Sequence, residues 1–134
     1  MVKHLFGCNI AIKAENFDDA VKKYSEVFGV EPFLVDESML AMPGHKGASF
    51  RIGDSWITLL TGRPDTAVAK FCETRGEGVF LLACLVDDIA EHMKRSTAHG
   101  VRFTTEEPIA FGHGVVAFAH PKSMHGVQWE FRSE

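Results

Sequence analysis

A chain of 134 residues with 46% apolar and 24% charged side chains has the composition of one globular domain able to fold around its own core, which excludes disorder. A net charge of −4 offers no field to a phosphate backbone, and no apolar run is long enough to cross a bilayer, so neither nucleic acid nor membrane is expected as a partner and the cytoplasm is the expected location. Cys8, Cys72 and Cys84 are an odd number without metal-ligand spacing, and read as reduced structural residues.

The first apolar run, Leu5 to Ala14, reads as a strand leading to Asn16, a good N-cap, with Asp18 and Asp19 in the first helical turn. Phe17, Ala20, Val21, Tyr24, Val27 and Phe28 then recur at helical spacing, and Gly29 is the stop. Strand-like pieces follow at 30–35, 48–52 and 56–60, broken by Pro43-Gly44 and Gly53-Asp54. In the connector 63–75, Val68 and Phe71 indicate a short helix.

The same order then repeats. Val79 to Val86 reads as a strand, Asp88 with Glu91 as a capping box, and Ile89 and Met93 as a helical stripe ending at Gly100. Three further strands are expected at 101–105, 115–120 and 127–132. Phe17-Asp18-Asp19 to Gly29-Val30 matches Val86-Asp87-Asp88 to Gly100-Val101 as helix start, helix stop and strand. The expectation is one α+β domain over 1–134 built from two βαβββ modules, about 1–62 and 77–134, joined by a connector at about 63–76.

Because strand residues alternate between faces, each run sorts into a helix-facing and an open-facing set. Phe6, Cys8, Ile10 and Ile12 group together, as do Ile57 with Leu59, Phe80 with Leu82, Cys84 and Val86, and Val127 with Trp129 and Phe131. The opposite set contains Asn9, Trp56, Thr58, Leu81, Ala83, Leu85, Gln128, Glu130 and Arg132, mostly apolar with a few polar groups, as in a small-molecule pocket. An ordinary solvated sheet is the competing reading, with Leu81, Ala83 and Leu85 against it.

Asn9-Ile10-Ala11-Ile12, Val68-Ala69-Lys70-Phe71, Arg75-Gly76-Glu77-Gly78, Val86-Asp87-Asp88-Ile89, Glu106-Glu107-Pro108, and His120-Pro121-Lys122-Ser123 with Gly126-Val127 follow one another in a familiar order. The pattern resembles the vicinal oxygen chelate (glyoxalase/bleomycin resistance/dioxygenase) superfamily, and within it the methylmalonyl-CoA epimerases. The resemblance implies a cupped mixed sheet, a small-molecule ligand, a homodimer, and a divalent cation that stabilises an enolate through ligands on four strands. Those ligand places fall at Asn9, Thr58, Leu81 and Glu130, of which only Glu130 keeps a ligand type. No metal or other cofactor is therefore expected. The place of the epimerases' proton-transferring carboxylate falls at Ala48 or Ser49.

The chemistry that remains is a metal-independent isomerase, epimerase or lyase acting by proton transfer on a small carbonyl compound or acyl thioester. Glu130, set among apolar neighbours, is the expected general acid or base, with His113 of Gly112-His113-Gly114 working from a loop. Asn9, Thr58, Trp56, Leu81, Gln128 and Lys122 are the expected substrate contacts. Against this stand a plain hydrogen-bonded Glu130, a turn histidine at His113, a solvated turn lysine at Lys122, and aromatic core at Trp56 and Phe50. His4, His45, His92, His99 and His125 read as surface or loop residues. The alternatives are a non-catalytic small-molecule binder and a metal-dependent epimerase using substitute ligands.

Overall fold

The computed structural model describes residues 1–40 and 42–134. Its strands are β1 (Val2–Ala11), β2 (Phe33–Val35), β3 (His45–Ile52), β4 (Ser55–Gly62), β5 (Gly78–Val86), β6 (Ile109–Phe111), β7 (Gly114–Ala119) and β8 (Gln128–Ser133). The helices are α1 (Phe17–Phe28), α2 (Ala67–Arg75) and α3 (Ile89–Ala98). This is the expected α+β fold of two βαβββ modules. Its residues form two compact units, Cys8–Phe80 and Met1–Gly7 with Leu81–Glu134.

In the unit Cys8–Phe80 the strand order is β2-β3-β4-β1. The β3–β4 hairpin sets Ala48 opposite Leu59, Ser49 opposite Thr58 and Phe50 opposite Ile57. Ala48, Phe50 and Leu59 therefore share a face, which packs on Phe17, Ala20, Val21 and Tyr24 of α1 together with Ile10 and Ile12. α1 ends as expected at Gly29, whose φ of 67° is left-handed, a conformation glycine adopts without steric cost. Asn16 holds the N-cap position, but its side chain does not bond the helix; it donates to Glu77 Oε2 at 3.1 Å, beside the Lys13 N–H at 2.9 Å.

In the unit containing Leu81–Glu134 the order is β5-β8-β7-β6, with the start of β1 beside β5. β5 pairs with β8 in parallel and β7 with β8 antiparallel. Cys84, Val86, Ala117, Ala119, Trp129 and Phe131 turn to Ile89 and Met93 of α3. The helix start is fixed twice: Asp88 Oδ1 accepts from the Glu91 N–H at 3.1 Å, and the Ser133 hydroxyl accepts from the Ile89 N–H at 3.3 Å.

Two local expectations are corrected. Residues 101–105 do not form a strand; Phe103 makes an isolated bridge to Ala119 and packs into the α3 core, while β7 takes Ile109–Phe111 as its partner. The grouping of Phe6 with Ile10 and Ile12 also fails. The Phe6 ring lies against the Arg132 guanidinium, and it is Leu5 that lines a cavity with the α3-facing residues Trp129 and Phe131.

Candidate functional site

Along β8 the alternation separates Trp129 and Phe131, in the α3 core, from Gln128, Glu130 and Arg132. The register places Glu130 between Ala83 of β5 and Phe118 of β7, and sets Leu81 beside Gln128. A carboxyl among hydrocarbon neighbours loses water: Glu130 is only 8% exposed. Burial pushes its pKa above the ordinary carboxylate value, and the charge and hydrogen bond of Arg132 oppose that rise without cancelling it.

Arg132 lies two residues further on and points the same way. Its Nη2 donates to Glu130 Oε2 at 3.1 Å. The guanidinium also lies over the Phe6 ring at 5.2 Å and the Phe111 ring at 5.4 Å, the geometry of cation–π attraction. Its Nε is buried and bonded to nothing. Alternation puts Arg132 on the open-facing set without marking it as a candidate site residue, and its position two after Glu130 is the signal for it.

The other expected contacts are placed as follows. Thr58 is buried, and its hydroxyl shares a 2.7 Å hydrogen bond with that of Ser49. Ser49, not Ala48, is therefore the residue on the Thr58 face. Trp56 stacks edge-on with Phe33 at 5.9 Å and lies under the Arg51 guanidinium at 5.0 Å. Asn9 is half-buried on β1. Leu81 is fully buried and presents only hydrocarbon, and Gln128 is half-buried beside it.

His113 sits exposed in the two-residue turn between β6 and β7, and Phe118, the neighbour of Glu130, lies five positions along β7, about 16 Å at strand rise. Lys122 is exposed in a short 3-10 turn, where its N–H donates to His120 Nδ1 at 3.1 Å. Phe50 is core.

Two histidines expected as surface or loop residues are buried. His45 accepts from the Val68 N–H through Nε2 at 3.3 Å. His92, on the inner stripe of α3, lies tilted against Phe131 with ring centroids 4.2 Å apart and both ring nitrogens unbonded. It borders an apolar cavity of about 390 Å³ with Val2, Leu5, Val101, Met124 and Trp129. Cys84, on the same cavity, and Cys8 and Cys72 are free thiols whose pKa values burial raises, which makes all three poor nucleophiles.

The residues at the superfamily's ligand positions do not fit a divalent cation. Leu81 has no donor atom, Thr58 is engaged by Ser49 and Glu130 by Arg132. Among the described residues, no group of three or more His, Cys, Asp and Glu is arranged to hold a metal ion.

Residues 8–118 match the family profile of the glyoxalase/bleomycin resistance protein/dioxygenase superfamily, and the chain belongs to that superfamily. Within it the similarities run to epimerases. The mitochondrial methylmalonyl-CoA epimerase of Dictyostelium discoideum is 30% identical over 131 residues, covering 94% of this chain and 76% of that protein. The methylmalonyl-CoA epimerase of Mycobacterium tuberculosis superposes with a TM-score of 0.81 at 28% identity, covering 98% of this chain and 88% of that one. A Streptomyces coelicolor methylmalonyl-CoA epimerase variant, in complex with 2-nitronate-propionyl-CoA, gives 0.82 at 28% identity, covering 100% and 96%. These relatives support an isomerase of the epimerase type.

Proposed function

We propose that this chain is an epimerase-type isomerase that moves a proton at the carbon next to a carbonyl, in an acyl thioester or small carbonyl compound, without a catalytic divalent ion. The observation that carries this reading is Glu130: a buried carboxyl on the one retained ligand position, held by a cation from its own strand rather than facing a cluster of metal donors. The ionised carboxylate takes the α-proton. The C–H bond breaks, an O–H bond forms on Glu130, and the electron pair passes to the carbonyl oxygen as an enolate. Return of the proton to that carbon completes the exchange.

The likeness to an epimerase bound to 2-nitronate-propionyl-CoA supports a CoA thioester as the first substrate class to test. Leu81 and Gln128 are proposed as substrate contacts beside Glu130, and Asn9, Thr58 and Trp56 are kept as proposed substrate contacts. Lys122 is proposed to meet a carboxylate or phosphate, and His113 to act from its turn. A small-molecule ligand, a homodimer and a cytoplasmic location complete the reading.

The test is incubation with methylmalonyl-CoA and propionyl-CoA in deuterated water, following label at the α-carbon by mass spectrometry. Glu130→Gln is expected to slow exchange by about 10²-fold or more. A loss below tenfold removes Glu130 from the role.

A second reading, sequestration of an apolar molecule, is favoured by the cavity of about 390 Å³ beside His92. That size lies within the usual range for ligand pockets. Saturable binding of a fluorescent apolar probe, weakened by Met124→Trp and accompanied by no exchange chemistry, is the result that would favour it.

A further inference from the structure

We infer that Arg132 supplies the positive charge that meets the developing enolate oxygen, a task the superfamily resemblance assigns to a divalent cation. The inference rests on the proton-transfer reading of Glu130 and extends it to the class of ligand: a planar, oxygen-bearing acyl group that gains negative charge during reaction.

Three observations carry it. The first is fixation. A long side chain ordinarily spends rotamer entropy to hold a ligand, but this guanidinium is already held by one hydrogen bond to Glu130 Oε2 and by the rings of Phe6 and Phe111. A charge fixed before the substrate arrives needs no reorganisation when negative charge appears, the property that makes electrostatic stabilisation effective.

The second observation is unused donor capacity. A guanidinium has five N–H donors in a planar fork, and the contact to Glu130 uses one. Nε–H is buried and closed to a ligand, so the donors left to meet an oxygen are the remaining Nη N–H groups of the fork. The side chain is 32% exposed, so the group is not sealed away. Lysine would offer a point charge instead of a fork, and neither ring would hold its ammonium in the same orientation.

The third is adjacency. In the proposed step, negative charge leaves the Glu130 carboxylate and appears on the carbonyl oxygen, while the total charge stays constant. The guanidinium is 3.1 Å from Oε2, and the abstracted proton and the carbonyl oxygen are three bonds apart in the substrate. One cation can therefore neighbour both ends of the transfer. As Glu130 gains its proton, its attraction for Arg132 weakens and the enolate takes its place, so no isolated buried charge forms at any stage.

The experiment compares two probes by calorimetry on the intact protein: 2-nitronate-propionyl-CoA, which carries enolate-like charge, and propionyl-CoA, which does not. The wild type is expected to prefer the nitronate. Arg132→Met is expected to lower nitronate affinity at least tenfold while leaving propionyl-CoA within about twofold, and Arg132→Lys to fall between, because the charge remains and the fork is lost. If Arg132→Met fails to fold with Glu130 left unpaired, Arg132→Met/Glu130→Gln compared with Glu130→Gln alone reads the same difference. A wild type without nitronate preference, or a preference that survives removal of Arg132, overturns the inference. Its failure is distinguishable from that of the base. Exchange abolished by Glu130→Gln with nitronate preference unaltered by Arg132→Met keeps the carboxylate and discards the arginine, whereas exchange indifferent to Glu130→Gln discards the carboxylate.

Discussion

Replacing His92 by phenylalanine removes two buried nitrogens that have no hydrogen-bond partner while keeping a ring on Phe131, 4.2 Å from the present imidazole. A buried polar group without a partner costs about 1–3 kcal/mol, and the slightly larger phenyl ring has the adjoining cavity of about 390 Å³ to enter. A net gain of about 1–2 kcal/mol is expected near pH 8. At about 2.1 cal/mol/K per residue, a chain of 134 residues has an unfolding entropy near 0.28 kcal/mol/K, so the melting temperature should rise by about 4–7 °C. Burial, with the charges of Arg95 and the amino terminus, holds the imidazole pKa below its ordinary value of 6.5. The unfolded chain therefore takes up a proton at a higher pH than the folded one. The wild type keeps its full stability above about pH 6.5 and loses it as pH falls below, whereas the variant does not carry this loss. Urea denaturation at about pH 8 and about pH 5.5 should show the variant more stable at both, with the wider gap at the acidic value. A variant less stable than wild type at both, with a constant gap, would refute the reasoning and mean that the imidazole is hydrogen-bonded in the folded state.

Two further substitutions test the packing. Leu59→Ala empties a fully buried position in the α1 core and should cost about 3 kcal/mol, or roughly 10 °C in melting temperature; a loss under about 1 kcal/mol would show that the site collapses to fill the space. Gly114→Ala would place a methyl carbon 2.3 Å from the Ser133 carbonyl oxygen, with no rotamer to turn it away, and should destabilise by about 1–3 kcal/mol in urea denaturation. Gly112→Ala, where space is open and only the φ of 59° is strained, should cost about 1 kcal/mol. Equal costs at the two glycines would contradict the steric argument.

What was legible in the sequence is what depends on near neighbours. The Gly29 stop, the Asp88 cap and the alternation of β8 are set by residues within a few positions of one another and are present in the structure, as is the α1 stripe except at Val27, which is exposed near the helix end. The errors arise where local pattern is ambiguous. The apolar content at 101–105 serves a core contact of Phe103 rather than a ladder, and the real β6 is three residues long, too short to show alternation. His92 follows Ile89 by three residues and so belongs to the buried stripe, but its polarity argued for the surface.

By itself the sequence determined the fold class, the superfamily and the face on which Glu130 and Arg132 lie, because periodicity and motif order are properties of the linear chain. Only tertiary structure decided their surroundings. Period two assigns a side chain to a face but says nothing of which strand lies alongside or in what register. Pairing with β5 and β7 set Glu130 between Ala83 and Phe118. Phe6 and Phe111, far apart in the chain, came to the same guanidinium by long-range packing.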